Sequence, residues 1–407
     1  MYILNSHYRI KVTRITLLLM CIVSTSIFAE SGIRIPTLAE ARSVNDNKVG
    51  VVFTHEELFH QLVHNMEDEL EGDSGIRIVP IMGKNHVQSV YDLLYLKGVD
   101  LALLRADAIE YVSRVGNYPA VKRVVHSIAK VSDEKIMIIA RKDYQTLNDL
   151  SGQVVGYGEP GSGEYVTGTV AFSVLDIEPD VIEVNSNLAI EKIKSGELAA
   201  MIYLLRAPDA IQTGDDLRAA NAVFNLDLGD DLHIMEIPET DELSEIYTPT
   251  ALTSDDLPGL VAEDMTIPTY SVDAILATYR WIPPNFRHEQ SRRFISAFVQ
   301  GLDGLRSDAY QPIWKRVDLD LETPNIIASP LVSEVQEALA AEQIRLAEEN
   351  RLAEQQAELA AQEARITEIM RKTDDLTARI GDELVNADEE ELKLMLNRLN
   401  SILQDNQ

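Results

Sequence analysis

The sequence is nearly free of cysteine: Cys21 is the only one among the 407 residues. It lies in an N-terminal stretch in which three basic residues, within residues 9–14, precede the apolar run 15–23 and a short polar segment up to Ala29. This layout is typical of a secretory signal peptide covering residues 1–29, and we predict cleavage after Ala29. An exported chain without cysteine has neither disulfides nor thiol chemistry, so its stability must come from its core.

Long apolar segments and an excess of positive charge are also missing. After the leader no apolar run reaches the length of a membrane-spanning helix, so we do not expect the mature chain to cross a bilayer. The sequence has 36 Lys and Arg against 66 Asp and Glu, and its formal charge of −30 becomes −33 when the three basic residues of the leader are removed. Such an acidic surface repels nucleic acid and anionic lipid. We therefore predict no nucleic-acid partner, and an anionic ligand would need cationic side chains at its site.

A glycine-dense turn in residues 154–167 dominates the middle of the chain. Two β-branched residues run into this turn, and Ser162 stands where an N-cap would begin a helix. A strand-to-helix turn directs backbone N–H groups and the positive end of a helix dipole at one small volume. Because Gly161 and Gly163 flank the cap, we predict an anion-binding loop here.

Other interpretations of this turn are weaker. The glycines at 156, 158 and 161 match the dinucleotide fingerprint, but Pro160 interrupts the place where its helix should already run. Ser162 lacks the spacing of a nucleophile elbow, and no histidine is an obvious base for it. We therefore predict a binding protein and not an enzyme, with no catalytic residues and no cofactor. A turn that merely begins a helix stays open as an alternative.

From Lys48 onward, segments of strand-like and helix-like spacing alternate. The short apolar runs 51–54 and 99–104 are typical of buried strands, and residues 135–140 predict a further strand. Residues 58–70 carry an apolar stripe at helical spacing. Strands separated by helices predict parallel sheet, whose ligand sites lie beyond the carboxyl ends of the strands. Two such α/β series predict two lobes with a cleft between them. Residues 209–270 are acidic and loop-rich, and the pattern predicts no clear element there.

Several segments, taken in order, carry a resemblance to a known family. The chain resembles the TAXI-type solute-binding proteins of tripartite ATP-independent periplasmic (TRAP) transporters over about residues 47–310. The resemblance lies in residues 98–107, 136–141, 147–163, 196–202 and Ala207-Pro208. It implies a two-lobed type II periplasmic binding protein fold in the periplasm. It also implies closure on a small organic anion, often glutamate or a related carboxylate, and delivery to an ion-driven membrane permease.

Two loops depart from the family pattern. The first strand leads into residues 53–57, which offer carboxylates where the family usually has a glycine-rich loop, and residues 83–86 lack the family's small polar run. Two functions therefore stay open: a receptor that serves a permease, and a ligand sensor that signals to a membrane protein. We predict lobe 1 at residues 47–142 plus 265–330, and lobe 2 at residues 143–264.

The cleft chemistry follows from two arginines. Arg105 and Arg206 each follow a buried strand, one in each lobe, so closure would bring two guanidiniums onto one carboxylate. The alternative is a structural salt bridge, for instance to Asp107 or Asp209. Phe53, Tyr157 and Tyr203 are candidate walls of the site, or core residues. The complete set of predicted ligand-binding residues is Phe53, Thr54, His55, Lys84, Asn85, Arg105, Asp107, Gly161, Ser162, Gly163, Glu164, Tyr203 and Arg206.

Two histidines, His60 and His64, lie four residues apart on the first predicted helix, with Glu56 and Glu67 nearby. This spacing is ligand-like, but the distance from His55 to His60 is one residue too long for the zinc-protease motif. We favour a solvated helix face and predict no metal site.

The C-terminal segment, residues 331–407, has a different composition. Residues 331–380 are rich in Ala, Glu, Gln and Arg, contain no Gly or Pro, and repeat Leu or Ile at several positions seven residues apart, from Leu352 to Ile380. We predict a helical coiled coil that ends at Gly381 and serves self-association or docking to another exported helical partner. A single charged helix held by pairs four residues apart is the alternative.

Overall fold

The computed structural model describes residues 47–72, 75–206, 228–320 and 322–405. The signal peptide, Ala207-Pro208 and Asp209 lie outside these ranges, so the statements about them stay predictions. Within the described residues no helix combines the length and the apolar character needed to cross a membrane. The described chain forms two compact units that divide after Gln336.

The first unit is built on one mixed β-sheet, and the described residues contribute eleven strands to it. The strands are β1 (Lys48–Phe53), β2 (Arg77–Met82), β3 (Leu101–Arg105), β4 (Val125–Arg141), β5 (Val154–Tyr157), β6 (Asp180–Glu183), β7 (Ala200–Arg206), β8 (Leu232–Met235), β9 (Thr248–Leu252), β10 (Ile267–Tyr279) and β11 (Ile327–Ala328).

Helices follow most of the parallel strands. They are α1 (Glu57–Leu70), α2 (His86–Tyr95), α3 (Asp107–Arg114), α4 (Val121–Val124), α5 (Gly163–Val174), α6 (Ser186–Ser195), α7 (Asp241–Ser244), α8 (Phe286–Leu305), α9 (Pro330–Asn386) and α10 (Glu389–Asp405). Ser162 caps α5, because its side chain accepts a hydrogen bond from the Tyr165 N–H at 3.3 Å. The predicted strand, turn and helix around the glycine-dense turn are thereby confirmed.

The strand order gives the unit its two lobes. The order is β2-β1-β3-β10-β4-β7-β5-β6. β1, β2 and β3 are parallel to one another and form the β1–β3 side, and β5, β6 and β7 are parallel and form the β5–β7 side. β4 and β10 run antiparallel between the two sides, and β4 pairs with β10 along its first part and with β7 along its last part. The predicted two-lobed α/β fold with a long C-terminal helix is confirmed.

Two features differ from the sequence prediction. β4 covers Val125–Arg141, whereas its apolar pattern predicts only residues 135–140. The segment after residue 228 contains β8, β9 and α7, which are too short for a reliable periodic pattern. The domain boundaries within the first unit stay predictions.

The second unit is helical. The prediction that the main helix ends at Gly381 is wrong, because α9 continues to Asn386. A single glycine costs a helix only about 1 kcal/mol relative to alanine, which the helix-forming residues on both sides can outweigh. The 57 residues of α9 correspond to a length of about 85 Å. The apolar residues of the seven-residue repeat, including Leu352, Leu359 and Ile366, are exposed, and ion pairs such as Arg345 to Glu349 lie along the surface.

Candidate functional site

A cavity of about 190 Å³ lies at the carboxyl ends of β1, β3 and β7. Thr54 follows β1, Arg105 ends β3, and Arg206 ends β7, so the two sides of the sheet meet there. The carboxyl ends of parallel strands are where α/β proteins place ligand sites. The lining residues are Thr54, His55, Glu56, Asn85, His86, Arg105, Glu134, Gly161, Ser162, Gly163, Glu164, Tyr203, Leu204 and Arg206.

Most of the predicted ligand-binding residues line this cavity, but three do not. Phe53 is buried and contacts the ring of His60 edge-on at 6.0 Å between centroids. Lys84 is exposed outside the cavity. Asp107 is buried at the start of α3 and is not one of the lining residues. Tyr157, the other candidate wall, packs in the core against the ring of Phe172.

Arg105 is buried between two carboxylates. Its Nε donates to Glu134 Oε2 at 2.6 Å, and its Nη1 and Nη2 donate to the two oxygens of Glu56 at 2.8 and 3.0 Å. Only 5% of Arg105 is exposed. Burial opposes its charge, but Glu134 and Glu56 hold the pKa of Arg105 well above its ordinary value. The guanidinium is therefore a permanent buried cation.

The same two carboxylates bind Arg206 from the other side. Its Nε donates to Glu134 Oε1 at 3.1 Å and its Nη2 to Glu56 Oε2 at 2.9 Å. Glu134 faces Arg206 directly across the β4–β7 ladder. The four side chains Arg105, Glu134, Arg206 and Glu56 thus alternate in charge around a closed circuit, which we name the arginine–glutamate ring. Both arginines face the cavity as the sequence predicts, but each is already paired.

His86 supports the ring from the start of α2. Its Nδ1 lies 3.4 Å from the Arg105 backbone N–H, and its Nε2 forms a hydrogen bond with Glu56 at 2.9 Å and also contacts Arg105 Nη1. Burial and the Arg105 charge lower the pKa of His86, which keeps its ring neutral at neutral pH. Burial opposes ionisation of Glu56, yet Arg105 and the hydrogen bond with His86 hold the pKa of Glu56 well below its usual value. Glu56 is an anion under all ordinary conditions.

The glycine-dense turn forms the opposite wall of the cavity. Gly161 has φ of +84°, and a Cβ there would collide with the Asn85 amide, whereas a Cβ on Gly163 would lie 2.7 Å from Arg105 Nη1. Only glycine allows both approaches. The Asn85 Nδ2 donates to the Pro160 carbonyl at 3.3 Å, which joins the two sides of the sheet across the cavity.

Glu164 adds a third carboxylate to the cavity. Burial raises the pKa of Glu164, and Arg105 only partly offsets that effect, while Glu134 and Glu56 raise the pKa further. Three carboxylates therefore face two guanidiniums. An anion can reach the arginines only in competition with the carboxylates that already bind them.

The two histidines of α1 contact different partners. His64 is exposed, with its Nδ1 3.3 Å from Glu67 Oε2, and His60 lies against Phe53. Across the described ranges, no three His, Cys, Asp or Glu side chains lie where they could hold a metal ion.

Four residues of the site lie outside the predicted set of ligand-binding residues: Glu56, His86, Glu134 and Leu204. Glu134 was missed because the predicted strand begins one residue later, at Lys135. The antiparallel pairing that brings Glu134 and Arg206 together leaves no local trace in the sequence.

No protein-family model and no curated protein sequence matches this chain. Solved structures similar to it include the periplasmic VFT2 domain of BvgS from Bordetella pertussis, at 13% identity and a TM-score of 0.34, over 70% of this chain and 99% of that one. XAC2383 from Xanthomonas citri, bound to ATP, has 13% identity and a TM-score of 0.39 over 74% and 98%. A putative sulfonate-binding protein SsuA from Methylobacillus flagellatus has 12% identity and a TM-score of 0.36 over 73% and 86%.

Proposed function

We propose that this protein is an extracytoplasmic solute-binding protein that holds a small organic anion, a carboxylate or an amino acid such as glutamate, between its lobes. The observation that carries the proposal is the meeting of Arg105 and Arg206, one from each side of the sheet, at a single cavity. Guanidinium forks match a carboxylate in shape and charge. Closure around the ligand would then use one cation from each lobe.

The size of the cavity supports a small ligand. At about 190 Å³ it is smaller than the ~300–1,000 Å³ of sites that hold drug-sized molecules. Ser162, Asn85 and His55 supply polar groups along its walls, and Tyr203 supplies an aromatic one. The sequence resemblance to TAXI-type proteins favours delivery of the ligand to a TRAP permease in the membrane.

A second candidate function is ligand sensing, in which the C-terminal helices signal to a membrane sensor. The observation that favours it is the length of α9. This helix has 57 residues, of which only Leu331, Val332 and Val335 are buried. A transport receptor needs no such helix. The ligand site would be the same in both functions, and only the membrane partner would differ.

Ligand binding can be tested by thermal-shift screening of organic acids and amino acids on the full mature chain. A ligand present at 100 times its Kd should stabilise the protein by about 2.7 kcal/mol. Replacing Arg206, which is 20% exposed and so less critical for folding than Arg105, by alanine should remove most of that shift. Arg316→Ala is the matched control, because Arg316 pairs with Asp133 outside the cavity. An undiminished shift in the Arg206 variant would contradict the proposal.

We also propose that residues 331–380 mediate self-association. In sedimentation experiments the full chain should then have a mass larger than that of its monomer. A version that ends at Gln336 should sediment as a monomer. The cut keeps Leu331, Val332 and Val335, which are buried in the first unit. Ile366→Lys in the full chain is a second test, because a charge in the repeat should dissociate the oligomer. Monomers in every case would refute self-association.

A further inference from the structure

We infer that Glu56 is a tethered internal ligand: its carboxylate occupies the position at which Arg105 and Arg206 would bind the carboxylate of a solute. The inference rests on the proposed function, because it identifies the arginine pair as the solute site. Solute and Glu56 would compete for the same two guanidiniums, and binding would be an exchange of one carboxylate for another.

The contacts of Glu56 are those expected of a bound carboxylate. Arg105 grips both of its oxygens with one guanidinium fork, and Arg206 Nη2 adds a third charged bond at 2.9 Å. His86 Nε2 forms a hydrogen bond with it at 2.9 Å, and the Thr54 hydroxyl donates at 3.3 Å. Polar groups from β3, β7 and α2 therefore converge on this one side chain. A free carboxylate in the same place would find the same partners.

Glu134, the other acid of the arginine–glutamate ring, is held in place more firmly than Glu56. It lies within β4, opposite Arg206 in the strand ladder, and its backbone is fixed by the sheet on both sides. Glu56 instead ends the short link between β1 and α1. Glu134 is thus a permanent counterion, whereas Glu56 can leave with a local change of the link.

The start of α1 offers an alternative position for the Glu56 carboxylate. Glu56 is the residue that precedes α1, with φ of −64° and ψ of 132°, but its side chain makes no capping hydrogen bond to that helix. A carboxylate at this position is favoured by the N–H groups and dipole of the helix end. When a solute takes the arginines, the Glu56 carboxylate could turn to the first turn of α1.

The exchange has a consequence for selectivity. A solute whose only polar group is a carboxylate would bind the two arginines no better than Glu56 does. Glu56 is already in place, so its binding costs no translational freedom, whereas binding of the solute does. A successful solute must make further contacts, and the nearby polar groups are Ser162, Asn85 and Glu164. We therefore assign the site to acids that carry a second hydrogen-bonding group, such as an amino or hydroxyl group, and not to simple monocarboxylates.

The test is chemical rescue with acetate as the probe. Glu56→Ala should be less stable than the wild type, and sodium acetate at about ten times its Kd should raise its melting temperature by roughly 3 °C or more, in a saturable way. Sodium chloride at equal ionic strength should not. Wild-type protein and Asp133→Ala, which removes a carboxylate that pairs with Arg316 outside the cavity, should show no such rise.

Glu56→Gln is the second variant, because it keeps the shape and one acceptor oxygen and protects folding if the alanine variant is insoluble. It should bind acetate at least ~10-fold more tightly than the wild type, since the amide competes poorly for two guanidiniums. Equal acetate effects in all proteins, or none in either Glu56 variant, would overturn the inference. Neither result touches the proposed function, which fails instead if no organic acid stabilises the wild type through Arg206.

Discussion

Replacing Glu134 by alanine is expected to lower the free energy of unfolding by about 3–5 kcal/mol, the range found when one partner of a buried ion pair is removed. Glu134 is only 6% exposed and binds both Arg105 and Arg206. Without it, two buried guanidiniums would share the single carboxylate of Glu56, and their mutual repulsion would be uncompensated. Urea unfolding, followed on the first unit by near-UV circular dichroism, would measure the loss.

The neighbouring residue supplies the control. Asp133 is also on β4, but it pairs with Arg316 at 2.8 Å, and Arg316 is 33% exposed. Asp133→Ala should cost about 1 kcal/mol or less, because partly solvated pairs contribute little. A Glu134→Ala variant as stable as Asp133→Ala would mean that the arginine–glutamate ring does not stabilise the fold.

Replacing Asp107 by asparagine should remove about 3 kcal/mol of pH dependence from the stability. Asp107 is only 2% exposed, and its Oδ2 accepts from Thr167 at 2.6 Å and from Tyr247 at 3.3 Å. Its Oδ1 is buried and has no hydrogen-bond partner among the described residues. Burial raises the pKa of Asp107 to about 6, against the opposing effects of the Thr167 hydrogen bond and the Arg105 charge.

The sign follows from the proton balance. The folded state binds the Asp107 proton more tightly than the unfolded state, whose pKa is about 3.9. The contribution to stability is therefore complete below about pH 4 and is lost as the pH rises through about 6, a difference of about 3 kcal/mol. Glu134, Arg105 and Tyr247 are the other ionisable groups that act on Asp107.

Unfolding free energies of the wild type and Asp107→Asn at about pH 4 and 7.5 would test this. Any cost of an unpaired N–H on the asparagine amide is the same at both pH values and cancels in the difference. The exposed Asp143→Asn should change the stability by less than about 0.5 kcal/mol. An unchanged pH profile in the Asp107 variant would show that this carboxyl does not titrate in the folded state between those values.

The elements that the sequence predicted well are the buried parallel strands and the helix that Ser162 caps. β3 is buried along its whole length and reads as a continuous apolar run, and Ser162 marks the start of α5. The first half of β4 was missed because residues such as Lys130 and Glu134 interrupt its apolar pattern. Their charges are matched by Asp273 on β10 and Arg206 on β7, partners that only the folded sheet brings close.

The sequence predicted the two arginines of the candidate site but not the two carboxylates, Glu56 and Glu134, that bind them. Arg105 and Arg206 could be placed because each follows a buried strand, and strand ends meet at one edge of a parallel sheet. Their counterions are remote in sequence: Glu56 is 150 residues from Arg206, and Glu134 is 72 residues from it. Local spacing carries no information about contacts over such separations.

The irregular pairing of β4 and β10 has a mechanical consequence. Their register slips between Ala274 and Ile275 and again between Leu276 and Ala277, and Ala274 is the residue that pairs with Arg105 on β3. Strands bend most readily where such bulges interrupt the ladder. We expect the lobes to rotate about this point. Such a rotation would displace the outer edges of the lobes by a large distance and the residues beside the rotation axis by very little. The cleft could then widen towards solvent while Arg105 stays almost stationary.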